Sequence, residues 1–469
     1  MQVLPRPTNI SLDYKELYQF LLNCQQKSLL KNNQQFISIP IAIEQVDPLI
    51  IFENLAKQEQ LNFYFENKGK QEAIAAIDAL AQLQIEGKNR FSKVQNFIKT
   101  CTENIIIFDK LNKFTTEPRF FCSFSFFDTT QADYPFAAAT VFLPRWQIIR
   151  NSDRTILVAN IAIDPNTNLP ALIPQLKSDI RNILTIEHQT SKYSSSHNLH
   201  TKDIADNRKL QQTILAALES IEARKLNKIV LAQALNVWSA KNFSLYNSLD
   251  KLRQNHPNCY IFSISNSRGQ NFIGASPERL ISISDRKLEI DALAGSAPRG
   301  KTAIADKQLA NQLLNSDKEK REHKVVIDFI TQHLNQLGIK PQILAPRLRQ
   351  LANIQHLWTP IEAKIPSNVH PLEIVAELHP TPAVAGETRD IACQQIRHYE
   401  NFERGLYAAP IGWIDTQNNS EFIVGIRSAL LDKNRATLYA GAGIVAGSDP
   451  AKELAEIQLK LQALLKALS

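Results

Sequence analysis

The sequence lacks several features that mark other classes of protein. It contains no run of about 18 apolar residues, so no segment is long enough to form a membrane-spanning helix. Residues 1–17 lack the apolar core of a signal peptide and the Arg- and Ser-rich, acid-free pattern of a transit peptide. We therefore expect a cytoplasmic protein with no membrane partner. The five cysteines show no CxxC motif or other metal-ligand spacing, which indicates reduced thiols at Cys24, Cys101, Cys122, Cys259 and Cys393.

Glycine is also scarce. The chain has 14 glycines, about half the share of an average protein, and only Gly69 and Gly87 precede residue 260. Glycine is used where the backbone turns sharply or approaches a ligand closely. We therefore expect the chemistry of this protein in its C-terminal half.

Charge of either sign is mixed along the chain rather than gathered in blocks. The 53 basic and 46 acidic residues give a net charge of +7. No basic block or basic–aromatic interleaving of the kind that follows a nucleic-acid backbone is present, so we expect no nucleic-acid partner. A small polyanionic substrate also suits a surplus of cations. A non-catalytic basic binding protein is the alternative from a different class.

Hydrophobic periodicity divides the chain into three parts. Residues 187–205 are polar and Ser-rich, which predicts a linker. We expect residues 1–186 to contribute strands and helices to the same fold as the catalytic region, residues 206–469. Helices and strands intermix without regular βα alternation, which favours an α/β (α+β) fold with large, mostly antiparallel sheets and helices packed between them. The main predicted elements are helices at 14–30, 71–85 and 207–225, two helices within 303–338 that meet near Asn315, a last helix capped by Asp449, and strands within 118–143, from Lys228, and at 407–415, 420–430 and 436–440.

Lys228 begins an unusually apolar strand, NKIVLAQALNVW (227–238). Period-2 alternation places Lys228 on the same face as Val230, Ala232 and Ala234. Its ammonium group therefore lies over a poorly hydrated surface. A lysine at a strand edge usually extends to water instead, so this residue does not identify a site by itself.

Glu278 lies in a predicted turn, GASPERL (274–280). Its glycine, small residues and proline favour a tight turn that presents the glutamate. A carboxyl group held beside an apolar strand can have a raised pKa and act as a general acid. A loop glutamate paired with Arg279 is the alternative.

Two glutamate pairs share one spacing, Glu319/Glu322 and Glu453/Glu456. The i,i+3 spacing places both members of a pair on one face of a helix. Two such faces opposed could hold Mg²⁺, which usually takes few protein ligands together with waters and substrate oxygens. The alternative is solvated helix surface, and Glu319 also fits a capping box with Ser316.

A glycine-rich segment, YAGAGIVAGSDP (439–450), precedes the last helix. Gly441 and Gly443 resemble part of a dinucleotide-binding fingerprint, but the predicted helix begins several residues later and too little chain follows for a βαβ unit. We predict instead a glycine turn whose N–H groups suit a carboxylate. Arg427, predicted on the preceding strand, needs an anionic partner, and Lys460 could reach the same ligand.

Taken in order, these stretches resemble motifs of the chorismate-utilising enzymes, the family that includes isochorismate synthase, anthranilate synthase and aminodeoxychorismate synthase. The strong resemblance covers residues 206–465, and PRFFCSFSFF and PFAAATVFLPRW resemble the weaker N-terminal part. The resemblance implies an anthranilate synthase component I-like chorismate-binding fold. The matching stretches are KIVLAQ, GASPERL, LAGSAPRG, SDKEKREHKVV, HPTPAVAG, FERGLYAAPIGW, IRSAL and GAGIV.

Three positions imply that water, not ammonia, is the nucleophile. Amine-transferring members usually carry glutamine where this chain has Lys228, and aminodeoxychorismate synthases often carry lysine where it has Ala294. HPTPAVAG (379–386) resembles the loop of isochorismate synthases. The resemblance thus implies an isomerase that acts on chorismate, with no glutaminase subunit, as a monomer or homodimer. Salicylate synthase is the main alternative, and anthranilate or aminodeoxychorismate synthase is less favoured.

The resemblance also implies a role for each candidate residue. Lys228, neutral in its apolar surroundings, takes a proton from the water that attacks C2 of chorismate, and protonated Glu278 donates to the departing C4 hydroxyl. Mg²⁺ is the implied cofactor. Its site would consist of Glu322 and Glu456, with Glu319 and Glu453 around them. Substrate contacts are implied for Gly295, Arg427, Gly441, Lys460, Ala383 and His323.

Overall fold

A computed structural model of the chain describes residues 12–108, 117–152, 154–186, 199–203, 207–351 and 354–468. The helices are α1 (Tyr14–Lys31), α2 (Pro48–Leu55), α3 (Arg90–Thr102), α4 (Leu169–Leu184), α5 (Asn207–Glu222), α6 (Leu245–Asn255), α7 (Ala303–Asn315), α8 (Asp317–Gln336), α9 (Pro371–Leu378), α10 (Arg389–Tyr399) and α11 (Pro450–Leu468). The strands are β1 (Gln35–Ile43), β2 (Asn62–Asn67), β3 (Glu72–Ile85), β4 (Ile105–Ile107), β5 (Arg119–Phe124), β6 (Ala139–Asn151), β7 (Arg154–Ile163), β8 (His200–Asp203), β9 (Lys228–Trp238), β10 (Tyr260–Ser265), β11 (Gln270–Ser276), β12 (Arg279–Ser284), β13 (Lys287–Pro298), β14 (Gln342–Ile343), β15 (Arg347–Gln350), β16 (Ile354–Lys364), β17 (Gly386–Glu387), β18 (Pro410–Asp415), β19 (Ser420–Val424), β20 (Ser428–Asp432) and β21 (Arg435–Val445).

Strand pairing joins the two ends of the chain in one sheet system. β2 pairs with β10 and β5 pairs with β18, so strands from the first 186 residues lie beside strands that follow residue 206. Among the described strands, the β1–β4 pair is parallel and the other pairs are antiparallel. The predicted α+β fold with a large, mostly antiparallel sheet is confirmed.

The β9–β21 ladder and two helices position the polar residues of the C-terminal half. Lys228 lies opposite Val445 and Val230 lies opposite Gly443 in this ladder. Helix α11 packs on β21, and α8 packs on β13. The first two turns of each of these helices carry the four glutamates predicted to bind metal, and they therefore lie close to the β9–β21 ladder and β13.

The predicted helix caps are confirmed. The Ser316 hydroxyl accepts a hydrogen bond from the Glu319 backbone N–H at 3.4 Å, at the junction of α7 and α8. The Asp449 carboxylate accepts hydrogen bonds from two backbone N–H groups of the first turn of α11, which begins at Pro450. These contacts satisfy N–H groups that a helix leaves unpaired.

The helix predicted at residues 71–85 is wrong, because this segment forms β3. Its alanines and leucines favour a helix in isolation, but β3 pairs with β2 on one side and β6 on the other. Residues 73–77 are all buried. The segment therefore lacks the alternation of apolar and polar residues by which a strand is usually recognised in a sequence. Tertiary pairing therefore outweighs local propensity here.

Two local predictions near the C-terminus are also corrected. Gly441 and Gly443 form no turn, since both lie inside β21, and the chain turns instead at Gly447, which has φ +82°. Arg427 is not on a strand but lies between β19 and β20 with φ +50°.

Most of the predicted linker lies outside the described residues, namely 187–198 and 204–205. Within it, β8 pairs antiparallel with β9.

Candidate active site

One cavity of about 960 Å³, a volume that includes its opening to solvent, collects most of the predicted site residues. It lies where β9, β13 and β21 meet the first turns of α8 and α11. The other two predicted residues, Lys228 and His323, do not line it. The predicted residues that line it are Glu278, Gly295, Glu319, Glu322, Ala383, Arg427, Gly441, Glu453, Glu456 and Lys460.

Lys228 is buried at the first position of β9 and contacts the cavity through a glutamate. Only 1% of the residue is exposed, and its Nζ lies 2.7 Å from Glu322 Oε1. A Cβ at Gly443, on the neighbouring strand, would lie 2.9 Å from that oxygen and 3.1 Å from Lys228 Cε. Because Gly443 has no side chain, the ion pair has room at this point.

Glu278 is a buried carboxyl group in the connection between β11 and β12, with 5% of the residue exposed. Burial is the main cause that raises its pKa to about 8, and the Asp291 carboxylate raises it further, whereas the charge of Lys228 acts in the opposite direction. Arg279 binds Glu289 and Asp291 at 2.7 and 2.9 Å, so it has partners other than Glu278. Glu278 is therefore a candidate proton donor at neutral pH.

The four glutamates converge from α8 and α11. Burial raises the pKa of Glu319 and of Glu453, and the nearby Glu322 carboxylate raises that of Glu319 further. Lys318 Nζ lies 3.9 Å from Glu319 and 3.4 Å from Glu453, between the two helices. Negative charges that are brought together in a partly buried place favour a cation between them.

The four glutamates line the cavity without forming a complete set of metal ligands. In the described part of the chain, no group of three or more His, Cys, Asp or Glu side chains is arranged to hold a metal ion. Carboxylate oxygens that leave room for waters and substrate oxygens suit Mg²⁺ better than a metal that needs an all-protein cage.

Arg427 is a buried cation whose side chain is incompletely paired. Seven per cent of the residue is exposed, and its Nη1 has no hydrogen-bond partner in the structure. Burial lowers the pKa of the guanidinium. Across the cavity, Lys460 Nζ donates to the Gly441 carbonyl at 2.8 Å and lies 2.7 Å from Glu456. A buried guanidinium with a free N–H group indicates a site for an anion.

Three further predicted residues differ in their placement. Gly295 lines the cavity with φ +78°, and a Cβ there would lie 3.2 Å from a Glu319 oxygen, so a side chain would be strained at this position. Ala383 also lines the cavity. His323 lies outside the lining, where its Nε2 is 2.8 Å from the Thr359 hydroxyl and burial lowers its pKa to about 4.

Sequence reasoning missed five polar residues that line the cavity: Ser296, Lys318, His356, Tyr407 and Tyr439. Tyr407 lies within a stretch that carries the family resemblance, FERGLYAAPIGW, and its hydroxyl would be 2.9 Å from a Cβ at Gly441. His356 lies on β16 among apolar residues. A histidine inside an otherwise apolar strand could have marked His356 as a candidate site residue. The sequence alone does not reveal which face of that strand lines the cavity.

Comparisons with known proteins agree with this geometry. The family model described as "Chorismate binding enzyme" matches residues 19–469. The chain is 30% identical over 460 residues to the isochorismate synthase MenF of Bacillus subtilis, which covers 96% of each protein.

Solved structures show the same fold. The menaquinone-specific isochorismate synthase MenF of Escherichia coli matches with a TM-score of 0.78 and 26% identity, covering 96% of this chain and 100% of that one. Anthranilate synthase component I of Streptococcus pneumoniae matches with a TM-score of 0.69 and 17% identity, covering 84% of this chain and 92% of that one, which confirms the fold.

None of the helices in the described residues is both long enough and apolar enough to cross a membrane.

The family model extends over almost the whole length of the sequence, and the elements that build the cavity lie within it. The chain belongs to the family of chorismate binding enzymes.

Proposed function

We propose that this protein is an isochorismate synthase, an isomerase that converts chorismate into isochorismate. The observation that carries the proposal is one cavity with a buried carboxyl group of raised pKa, a buried amine at its edge and an incompletely paired guanidinium. Similarity to enzymes named isochorismate synthase over almost the whole chain supports it. Lysine rather than glutamine at position 228 favours water over ammonia as the nucleophile.

Mg²⁺ is the proposed cofactor, with Glu322 and Glu456 as its ligands and Glu319 and Glu453 nearby. When bound, Mg²⁺ would hold the ring carboxylate of chorismate and stabilise negative charge that develops during the reaction. Glu322 and Glu456 form ion pairs with Lys228 and Lys460 at 2.7 Å each. These lysines therefore balance part of the charge of the carboxylates.

Lys228 and Glu278 are the proposed base and acid. Lys228 is buried at the edge of the cavity, and its Nζ lies 2.7 Å from a Glu322 oxygen. The neutral amine removes a proton from water as the water oxygen bonds to C2 of the ring. The ring double bonds shift, the C4–oxygen bond breaks, and Glu278 supplies the proton with which the C4 hydroxyl leaves as water. Atoms and charge balance, and the product is an isomer of the substrate.

The substrate carboxylates are proposed to bind the cations of the cavity. Arg427 has a free N–H group, and Lys460 lies at the Gly441 carbonyl. A carboxylate of the enolpyruvyl side chain placed between them would complete the pairing of both cations. Gly295 and Ala383 leave room for the ring because they add little bulk to the lining.

Product analysis tests the function. Purified protein incubated with chorismate and Mg²⁺ is expected to form isochorismate, detected by HPLC, and to form none when EDTA replaces the metal. Release of pyruvate with salicylate would identify a salicylate synthase instead. A product formed only with added ammonium would indicate an amine-transferring enzyme, and absence of any turnover would contradict the proposal.

The pKa of Glu278 predicts the alkaline side of the pH profile. Glu278 must be protonated to act as an acid, and its pKa is raised to about 8. We therefore expect kcat/KM to fall as pH rises through about 8, approaching tenfold per pH unit. Rates measured from about pH 6 to 10 check this.

A matched variant tests the assignment of that pH dependence. Asp291 raises the pKa of Glu278, so Asp291→Asn is expected to move the alkaline limb to lower pH. A limb that stays in place in the variant, or a flat profile in the wild type, would contradict Glu278 as the titrating acid.

A further inference from the structure

Within the described part of the structure, the side chain of Arg427 has one hydrogen-bond partner, His356 on β16. Arg427 Nη2 lies 3.2 Å from His356 Nε2, whereas Arg427 Nη1 is buried without a partner. Both residues line the cavity and are buried, each with 7% of the residue exposed. The two N–H-bearing ends of the guanidinium therefore differ: one is held by the protein and one is open.

Hydrogen-bond chemistry fixes the state of the imidazole. A guanidinium has only donors, so His356 Nε2 must be the acceptor and Nδ1 must carry the proton. The Ser296 hydroxyl lies 3.0 Å from Nδ1 and can accept that proton. Burial lowers the pKa of His356 well below its usual value, and the charges of Arg427 and Lys460 lower it further. The ring is therefore neutral at physiological pH.

The backbone of Arg427 is anchored separately from its side chain. Its φ of +50° is in the left-handed region, and its carbonyl accepts a hydrogen bond from the Ala275 N–H at 3.1 Å. A Cβ at Gly274 would lie 2.8 Å from that carbonyl oxygen, so the close approach needs glycine there. With the backbone held by β11, the direction of the long side chain depends on a contact near its end.

We propose that His356 is a positioning residue that holds the Arg427 guanidinium through Nε2 and leaves Nη1 free for a carboxylate of the substrate. This inference rests on the proposed function, since it concerns the same cavity. His356 takes no part in proton transfer in this account. Its contribution is to substrate binding, because a fixed guanidinium loses less conformational freedom when the carboxylate binds.

Steady-state kinetics with chorismate and Mg²⁺ test this role. His356→Leu removes the acceptor and is expected to raise KM about 10-fold or more while kcat changes less than about threefold. His356→Gln, whose side-chain oxygen can accept from Arg427, is expected to recover part of the loss. His398→Leu, at an exposed histidine of α10, is the control and is expected to leave both constants unchanged.

A double-mutant cycle separates positioning from a general structural effect. If His356 acts through Arg427, His356→Leu should add little to the KM of Arg427→Met, so that the two effects are strongly non-additive. Additive effects, a normal KM in His356→Leu, or equal loss in the glutamine variant would overturn the proposal. Failure of the wild-type protein to convert chorismate in the same assay would instead contradict the proposed function.

Discussion

Lys228→Gln is expected to lower kcat for chorismate by a factor of about 10²–10⁴, the usual contribution of a general base. Glutamine has no amine to remove a proton from water, yet it keeps an N–H donor that can reach Glu322, the present partner of Lys228 at 2.7 Å. This half-buried carboxylate can therefore keep a hydrogen bond, and we expect the fold to persist. Initial rates at saturating chorismate and Mg²⁺ measure the loss, and circular dichroism reports the fold.

Lys324→Gln is the matched control for this prediction. Lys324 lies on α8, its side chain is 71% exposed, and it forms an ion pair with Asp328. The same chemical change at that position is expected to leave kcat within about threefold of wild type, since an exposed pair contributes little. If Lys228→Gln kept more than about a tenth of the wild-type kcat, Lys228 would not be the base.

Glu278→Gln is expected to cause a loss of similar size, about 10²–10⁴ in kcat, with a smaller change in KM. The amide has the shape of the carboxylic acid but cannot give up a proton to the departing C4 hydroxyl. Burial already favours the uncharged form of Glu278, so a neutral amide is expected to be tolerated in the same place. The loss would therefore report on proton donation rather than on packing.

Glu289→Gln is the control for the acid. Glu289 binds Arg279, the residue after Glu278, at 2.7 Å, and its side chain is 37% exposed. Its amide variant removes a carboxylate on β13, beside Arg279, without changing the proposed acid, and its kcat is expected to stay within about threefold of wild type. Equal losses in the two glutamine variants would indicate that the loop, rather than the Glu278 proton, had been disturbed.

Features that depend on nearby residues were predictable from the sequence. Ser316 caps α8 and Asp449 caps α11 because a cap needs only the N–H groups of the next turn. The break between β11 and β12 at Pro277 and Glu278 also follows from GASPERL, although Gly274 lies inside β11 rather than in a turn. The i,i+3 spacing of the glutamates likewise depends on one helix at a time.

Features that depend on distant partners were not predictable in this way. β3 is a strand because β2 and β6 flank it, although its composition favours a helix. Gly441 and Gly443 lie inside a ladder with β9, where they make room for neighbours rather than forming a turn. Arg427 and His356, 71 positions apart in the chain, meet only when β16 is placed beside the connection from β19 to β20.

The sequence by itself identified the family, through the resemblance of its ordered motifs to those of known enzymes. It also determined which residue types are available for proton transfer and metal binding, because these are properties of the local sequence. Only the tertiary structure decided that Lys228 is paired with Glu322 across 94 positions, that Arg427 keeps one N–H group free, and that His323 lies outside the cavity. The reason is physical: burial and charge pairing depend on which elements pack together, and packing is a property of the whole chain.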